Sequence, residues 1–287
     1  AFESFSFDEY DLVISVTSES AKGIITKPGT VHICYCLTPT RYLWSGYEEY
    51  FRSSFAKLIS TPAVNYLKKW EMHGSARPDH YVAISTEVKN RIKKYYGRDA
   101  EILFPPVFIK KSKKRKKIDE NYFLLVSRLS RFSYYKKVDL AVETFNKTNL
   151  ILKIVGSGSL LGSMKKRAKG NIEFVGHISD DELGDYYENS RALIFPGLED
   201  FGLVMAEAQS YGAPVIAYKA GGALDIVKEG KTGEFFKDQN PDSLMLALKK
   251  FNKSIYNKAD IIENSERFSY NTFKSGIEKL LSGKIKI

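Results

Sequence analysis

The stretch ALIFPGLEDFGLVMAEAQSYGAPVIAYKAGG, residues 192–222, decides the fold. Its apolar run ALIF predicts a buried strand, which the following proline-glycine pair ends. A helix is predicted to begin at Gly202 and to end at Gly212, and the run APVIAY predicts a second buried strand. Glu199 is therefore expected in the loop at the carboxyl end of a strand, and Glu207 just over one turn into the helix.

The same alternation of apolar strands and helices continues along the rest of the chain. In the first half, strands are predicted at 10–16, 31–37, 80–85 and in the short run AEILFPPV, with helices at 47–70 and 86–96. In the second half, strands are predicted at 122–126, 150–155, 172–175, 192–195 and 214–217, with an amphipathic helix at 271–281. This alternation is typical of parallel sheets covered on both faces. The predicted fold class is α/β, with two Rossmann-like, doubly wound domains in tandem.

The chain is predicted to have four parts. They are a first domain over 1–109, a basic linker over 110–118, a ligand-binding domain over 119–267, and a segment over 268–287 whose helix packs back on the first domain. The first domain has about four predicted strands, below the roughly five to six of a typical sheet. We therefore expect it to be incomplete, and the first residue, Ala1 rather than methionine, favours a fragment.

Composition excludes several classes of protein. The net charge is +10, but residues 110–117 hold seven of the 44 basic residues, and without them the balance is 37 against 34. A basic face for nucleic acid is therefore not expected, whereas attraction of this run to an anionic membrane surface is a minority alternative to a solvated linker. Cys34 and Cys36 are expected as buried thiols in a reducing cytosol, and two cysteines without a second pair make no zinc site.

Polar residues follow each predicted strand of the second domain. Carboxyl ends of parallel strands meet on one rim, where open α/β sheets bind ligands. The residues expected on this rim are Arg128, Lys136, Lys137, Gly156, Gly158, His177, Ile178, Glu199, Gly202 and Glu207. Cations and free helix-terminal N–H groups suit a phosphate or diphosphate.

The two glutamates must face another group, because carboxylates repel phosphate. Paired hydroxyls are their natural target, since a carboxylate accepts two hydrogen bonds at once. A diphosphate between two diols describes a nucleotide sugar. The plainer alternative is that Glu199 and Glu207 are ordinary acidic residues near a helix start, where negative charge is favourable. The pair Gly156 and Gly158 lacks the third glycine of the dinucleotide fingerprint, which argues against a dehydrogenase.

The second half resembles the donor domain of retaining glycosyltransferases of family 4, which have the two-Rossmann-domain architecture called GT-B. The blocks that carry the resemblance are SRLSRFSYYKKVDLAVETFN, LKIVGSGSL, IEFVGHISDDEL and the stretch from ALIFPG to TGEFF, and the likeness covers essentially all of 121–237. Glu199 and Glu207 match the paired glutamates of that family's signature. The first half resembles mannosyltransferase-like members through YDLVISV, HICYCLTPTRYLW and ISTEVKNRIKKYYGRDAEILFPPV.

The resemblance implies a role for each matching residue. Arg128 and Lys136 would hold the donor diphosphate and neutralise the leaving group, so that no metal or other cofactor is needed. Glu199 would contact the hydroxyls of the transferred sugar near the anomeric centre, and Glu207 would bind the ribose diol. The backbone around His177 and Ile178 would meet the base, and backbone N–H groups for sugar and phosphate would come from Phe201, Gly202, Leu203 and Val204.

The resemblance implies transfer of a hexose, with mannose favoured, from GDP-mannose or a UDP-sugar to a glycan or lipid-linked acceptor. The expected location is the cytoplasm, with peripheral contact at the inner membrane face as a further alternative. Leu37 stands where many relatives have a histidine, and the loop before Lys136 is longer than usual, which leaves Lys137 as a second candidate. Leu37 and the short first domain keep a second hypothesis open, a truncated or non-catalytic nucleotide-sugar-binding protein.

The stretch 41–58 mixes aromatic and basic residues. Such a pattern suits a membrane interface, but a helix that packs its aromatic side chains inward is the favoured interpretation.

Overall fold

A computed structural model describes residues 2–51, 53–108, 121–130, 135–251 and 256–284. The chain divides into two units, one made of the residues up to 105 together with those from 273 onwards, and one made of residues 106–272. The predicted basic linker, 110–118, lies outside the described residues. Both units are α/β with parallel sheets, as the sequence predicts.

The second unit contains a six-stranded parallel sheet. Its strands are β5 (Tyr122–Val126), β6 (Ile151–Val155), β7 (Ile172–Gly176), β8 (Leu193–Phe195), β9 (Val215–Tyr218) and β10 (Gly233–Phe236). The helices are α4 (Val138–Phe145), α5 (Leu161–Arg167), α6 (Asp180–Asn189), α7 (Leu203–Ser210), α8 (Ala223–Ile226), α9 (Pro241–Phe251) and α10 (Lys258–Ser265). Apolar side chains of the strands and of α4 and α9 form the core, which includes Phe123, Phe145, Ile154 and Leu248.

The order of these strands reverses at one place. Across the sheet they run β10-β9-β8-β5-β6-β7, so the chain builds outward from β5 in one direction and from β8 in the other. Such a reversal, a topological switch point, leaves a crevice beyond the carboxyl ends of the two central strands, and open α/β sheets bind ligands there. The fold therefore places a candidate site between the segments that follow β5 and β8.

The first unit contains a four-stranded parallel sheet, in the order β1-β2-β3-β4. Its elements are β1 (Leu12–Thr17), β2 (Val31–Cys36), β3 (His80–Ala83), β4 (Glu101–Ile102), α1 (Tyr47–Tyr50), α2 (Ser54–Ser75) and α3 (Thr86–Tyr96). The last helix, α11 (Tyr270–Lys284), begins in the second unit, and its residues from Phe273 belong to the first. In the first unit the ring of Phe273 packs edge-on against Tyr35, and Cys34 and Cys36 are buried free thiols, as predicted.

Two predicted elements need correction. The helix expected over 47–70 is instead two helices, because Phe51 leaves the helical region with φ −111° and ψ 70° after α1. The break allows Lys57 to form an ion pair with Glu48, whereas residues nine positions apart in one straight helix would be separated by about 13.5 Å. The second half also has a strand that was not predicted, β10, whose sequence GEFF follows a turn and is too short to show a period.

The aromatic stretch 41–58 packs inward only in part. Trp44 stacks on Tyr95 with ring centroids 5.1 Å apart, and Tyr42 packs edge-on against Tyr50. In contrast, the side chains of Phe55 and Leu58, in the first turns of α2, are 72% and 75% exposed. The inward-packing prediction is therefore wrong for the residues after Phe51.

The first unit also contains a fully buried histidine, His32, in β2. Its Nε2 lies 2.8 Å from Ser15 Oγ, and its Nδ1 has no hydrogen-bond partner among the described residues. Burial lowers the pKa of His32 from 6.5 to about 4, although the nearby Asp79 carboxylate acts in the opposite direction. His32 is thus neutral in the folded protein at neutral pH.

Stability of the first unit is predicted to fall as the pH drops from 6.5 towards 4. In this interval His32 binds a proton in the unfolded chain but not in the folded one, so the unfolded state is favoured. At pH 5 the free energy of unfolding should be lower by about 2 kcal/mol than at pH 7 on account of His32 alone. Urea unfolding followed by tryptophan fluorescence measures this, because both tryptophans, Trp44 and Trp70, lie in the first unit.

Two variants isolate the contribution of His32. His32→Gln should reduce the difference in unfolding free energy between pH 7 and pH 5 by that amount, whereas His73→Gln, at an exposed position of α2, should retain it. An equal pH dependence in wild type and His32→Gln would show that His32 is not responsible.

Candidate active site

The centre of the candidate site is an ion pair at the switch point. Lys136, in the segment that joins β5 to α4, is bonded through Nζ to Oε1 of Glu199, in the loop after β8. Their side chains are 15% and 19% exposed, so the pair is largely shielded from water but reachable. The structure thus brings together the residue expected to hold a diphosphate and the residue expected to bind sugar hydroxyls.

Close backbone packing positions this pair. Gly197 follows β8, and a Cβ atom at this residue would lie 2.8 Å from Cα of Lys136. The backbone N–H of Leu198 donates to the carbonyl of Tyr135 at 3.3 Å. Lys137 has a left-handed backbone, with φ 51°, at the start of α4. Of the two candidate lysines, it is therefore Lys136 that the fold places on Glu199.

A second close approach forms the turn after β6. Gly156 and Gly158 have φ values of 133° and 150°, and a Cβ at these residues would lie 1.9 Å from Ser127 O and 2.3 Å from Leu129 O. The backbone N–H of Leu129 donates to Ser157 O at 2.9 Å. The two glycines are thus required by packing of this turn against the segment that follows β5.

Arg128 lies within that segment, and its side chain is exposed. The guanidinium makes no hydrogen bond or ion pair with any residue in the described part of the chain. Its backbone is fixed on both sides, since Ser127 N–H donates to Val155 O at 3.0 Å and Leu129 N–H to Ser157 O. Arg128 therefore presents an exposed positive charge that no described residue neutralises.

The start of α7 lies directly after the Glu199 loop. Gly202 precedes this helix with φ 87°, and a Cβ here would lie 2.5 Å from the end of the Met205 side chain. No side chain caps the helix, whose first residues are Leu203, 43% exposed, and the half-buried Val204. Phe201 is buried and packs edge-on against Phe268. The first N–H groups of α7 thus provide hydrogen-bond donors beside Glu199.

Glu207 lies one turn into α7 and is held by a tyrosine. Its Oε2 accepts a hydrogen bond of 3.0 Å from the hydroxyl of Tyr187 in α6. Burial raises the pKa of Glu207, the Tyr187 hydroxyl acts to lower it, and the charge of Asp180 adds a smaller rise. Tyr187 is absent from the sequence-based site, because neither a motif nor a period marks a tyrosine that contacts a glutamate twenty positions further on.

His177 and Ile178 follow β7, at the edge of the same sheet. The side chain of His177 is exposed and that of Ile178 is half-buried. The carbonyl of Gly176, just before them, accepts from Gly156 N–H at 2.7 Å, which links their loop to the glycine turn. The described residues hold no cluster of metal-ligating side chains.

A family model described as "Glycosyl transferases group 1" matches residues 108–274, more than half of the chain. The chain belongs to this family. The match spans nearly all of the second unit, including every residue of the candidate site.

Curated proteins similar to this chain are named as sugar transferases. An uncharacterized glycosyltransferase of Methanocaldococcus jannaschii is 25% identical over 220 residues, which cover 75% of this chain and 60% of the relative. The O-antigen chain mannosyltransferase C of Escherichia coli is 25% identical over 124 residues, or 41% of this chain and 33% of the relative. The chain thus spans less than two thirds of the length of these relatives.

One similar solved structure is sucrose-phosphate synthase from Thermosynechococcus elongatus. It has a TM-score of 0.72 at 16% identity, and the match covers 96% of this chain and 74% of that one. This likeness and the two parallel sheets confirm the predicted GT-B fold class.

The close packing of the glycine turn against the segment after β5 can be tested by mutation. Gly156→Ala would place a methyl group 1.9 Å from Ser127 O on a backbone with φ 133°, so we expect a loss of stability of about 1–3 kcal/mol. Calorimetric thermal unfolding should show the transition of the second unit lowered by several degrees.

The matched control is Gly162→Ala in α5, where no atom lies within 4 Å of the added Cβ. Alanine is favoured over glycine inside a helix by about 1 kcal/mol, so this variant should be as stable as wild type or slightly more so. Equal transitions for Gly156→Ala and wild type would contradict the packing argument.

Proposed function

We propose that the second unit binds a nucleotide sugar at the switch point, and that the chain transfers the hexose, with retention of configuration and without a metal ion, to a glycan or lipid-linked acceptor. The observation that carries this proposal is the Lys136–Glu199 pair between the segments after β5 and β8. A cation and a carboxylate at one point suit a ligand that presents phosphate and hydroxyl groups together.

The diphosphate is assigned to the positively charged side of the site. Arg128 is exposed and has no partner among the described residues, so its charge is available to an anionic ligand. The uncapped start of α7 adds N–H donors and the positive end of the helix dipole. When a diphosphate binds, Lys136 exchanges Glu199 for a phosphate oxygen, and Glu199 becomes free to accept hydrogen bonds from the sugar.

The nucleoside is assigned to the other end of the site. Glu207 accepts from the two ribose hydroxyls, and the backbone at His177 and Ile178 faces the base. These assignments rest on the resemblance of the matching blocks and on the position of these residues at the carboxyl ends of β7 and β8.

The chemistry of transfer follows from charge. As the bond between the anomeric carbon and the phosphate oxygen breaks, negative charge develops on the departing nucleoside diphosphate. Arg128 and Lys136 stabilise that charge, which is the largest contribution that fixed polar groups make in such reactions. The leaving phosphate takes up the proton of the attacking acceptor hydroxyl on the same face, which preserves the configuration of the sugar.

Mannose is the favoured hexose, with GDP-mannose as donor. Its support is the resemblance of the first half to mannosyltransferase-like members and the similarity to the O-antigen chain mannosyltransferase C. A UDP-sugar is the alternative donor, and calorimetric titration with both kinds of donor distinguishes the two.

A second candidate function is nucleotide-sugar binding without transfer. Leu37 directly follows β2 in the first unit, and its aliphatic side chain offers no hydrogen bond at a position where many relatives have histidine. Binding of a sugar nucleotide without hydrolysis or transfer by the purified chain would favour this function over the enzyme.

Arg128→Ala should weaken binding of the donor about 10- to 100-fold, because a charge-assisted hydrogen bond to phosphate is lost. Stability should be unchanged, since this exposed guanidinium has no hydrogen bond or ion pair within the described part of the chain. Calorimetric titration of the chain with GDP-mannose, UDP-glucose and UDP-N-acetylglucosamine measures the affinity and identifies the base.

The matched control is Arg167→Ala, at an exposed arginine of α5 on the same unit. It should bind the donor as wild type does. Equal loss of affinity in both variants would indicate a nonspecific charge effect, and no loss in Arg128→Ala would remove Arg128 from the site.

We also propose that α2 contacts an anionic membrane surface. Four apolar side chains of this helix are more than 60% exposed: Phe55, Leu58, Ile59 and Tyr66. Their spacing places them along one side of the helix. The sequence of α2 has three lysines and one glutamate, Glu71, which is buried in an ion pair with Lys22. An apolar stripe among positive charges suits the boundary between lipid headgroups and acyl chains.

Among the described residues, no helix is long and apolar enough to cross a membrane.

The double variant Leu58→Ser with Ile59→Ser should reduce binding to vesicles of phosphatidylglycerol and phosphatidylcholine several-fold, because it removes apolar area from the contact. Flotation at low salt measures the bound fraction. Leu246→Ser, at a leucine of the second unit that is 67% exposed, is the control and should float as wild type does. Absence of wild-type binding at low salt would contradict the membrane proposal.

A further inference from the structure

The two carboxylate oxygens of Glu207 differ in their hydrogen bonds. Its Oε2 accepts from Tyr187 at 3.0 Å, while its Oε1 has no hydrogen-bond partner among the described residues. A glutamate side chain in water moves among several staggered rotamers with a freely turning carboxylate, and a hydrogen bond from a fixed donor to one oxygen restricts that motion. The other oxygen then keeps a fixed direction towards a ligand.

Tyr187 is itself immobilised. Its side chain is 2% exposed, and its ring stacks on Tyr211, just after α7, with centroids 5.8 Å apart and an angle of 27° between the planes. Gly184, one turn earlier in α6, lets Tyr211 approach, because a Cβ there would lie 2.8 Å from the Tyr211 hydroxyl. The two tyrosines thus pack α6 against the end of α7, and the Tyr187 hydroxyl remains directed at Glu207.

The helix that carries Tyr187 starts beside the loop expected to meet the base. Ser179 caps α6 and forms a capping box with Glu182, in which each side chain bonds to the backbone of the other residue. Ser179 directly follows His177 and Ile178. Helix α6 therefore begins next to the loop expected to meet the base, and through Tyr187 it also contacts Glu207, the glutamate assigned to the ribose.

We propose that Tyr187 is a positioning residue, which fixes the Glu207 carboxylate for recognition of the 2′- and 3′-hydroxyls of the donor nucleoside. This inference rests on the proposed function, because it needs a ribonucleotide at Glu207. The phenol holds one oxygen, so the ribose diol meets the free oxygen and the remaining lone pair of Oε2. Tyr187 touches no reacting atom and acts on donor affinity through Glu207.

Two groups face the Glu207 carboxylate and set its charge. Burial raises the pKa of Glu207 most, the Tyr187 hydroxyl acts to lower it, and the charge of Asp180, at the start of α6, raises it further. Burial and the adjacent Glu207 charge raise the pKa of Tyr187 itself, so the phenol remains a donor at neutral pH. Loss of the hydroxyl should leave Glu207 easier to protonate, and affinity should then begin to fall at a higher pH than in wild type.

The experiment measures discrimination between ribose and 2′-deoxyribose. The probes are GDP, UDP and their 2′-deoxy forms, titrated calorimetrically into the wild-type chain and into Tyr187→Phe. Phenylalanine retains the ring and its stacking on Tyr211, so the variant is expected to fold. Wild type should bind the ribonucleotide about tenfold or more tightly than the deoxy form, and Tyr187→Phe should reduce that ratio to about threefold or less.

Two further variants distinguish the positioning role of Tyr187 from the proposed binding of the ribose by Glu207. Tyr186→Phe removes the hydroxyl of the neighbouring tyrosine of α6, whose ring packs edge-on against Tyr122 of β5, and should retain the wild-type ratio. Glu207→Ala should abolish discrimination. A wild-type ratio in Tyr187→Phe together with a ratio near one in Glu207→Ala would overturn the positioning role and leave the donor site intact.

Other outcomes test the proposed function. If Glu207→Ala retained the full ratio, Glu207 would not bind the ribose, and the inference would fail with that assignment. If wild type bound none of the four nucleotides, the donor site itself would be wrong. A titration series over pH adds an independent measurement, since a purely structural role for Tyr187 would not move the pH at which affinity declines.

Discussion

The reversal of strand order between β5 and β8 is the constraint on which the rest of the second unit depends. The two strands are neighbours in the sheet, yet the chain leaves β5 towards β6 on one side and leaves β8 towards β9 on the other. The segments that follow these two strands lie beside each other at the carboxyl edge of the sheet, so their side chains meet there. Lys136 and Glu199 are 63 positions apart in sequence, and this topology is what makes them partners.

Glycines allow the loops around that crevice to pack closely against one another. At Gly156, Gly197 and Gly222, an added Cβ would lie within 2.8 Å of the backbone of a neighbouring loop. The loops after β5, β6, β8 and β9 are therefore packed main chain to main chain, which larger residues would prevent. Peptide N–H groups and the Arg128 side chain then project from a rigid edge. Such preorganisation favours recognition of a charged ligand, because little order remains to be imposed on binding.

Two ion pairs in this chain differ in how far burial shields their charges from the solvent. In the first unit, Lys22 and Glu71 are 2% and 3% exposed and lie 3.0 Å apart. Glu71 also accepts from the Tyr96 hydroxyl and from Thr40 N–H, so its charge is fully used by the fold. Lys136 and Glu199 are several times more exposed and have fewer partners. The charge of Lys136 is therefore more accessible to a bound anion than the charge of Lys22.

The sequence by itself determined the fold class and most elements of both sheets. The apolar runs YFLLV, LILKIV and APVIAY are short and bounded by polar residues or glycine, and such runs are typical of buried parallel strands. The candidate site residues could also be predicted as a set, since Arg128, the pair Gly156 and Gly158, and Glu199 lie in the segments that follow β5, β6 and β8. Local pattern failed where it carries little information, in the four residues of β10 and in the break between α1 and α2.

Tertiary structure alone decided which of these residues touch. Spacing along the chain could not choose between Lys136 and Lys137; the packing of Gly197 on Lys136, with the left-handed backbone at Lys137, made the choice. Nor could it pair Tyr187 with Glu207, because that bond depends on α6 and α7 lying side by side with Gly184 under Tyr211. Side-chain partners across a fold are set by helix packing and loop closure, which a one-dimensional pattern does not encode.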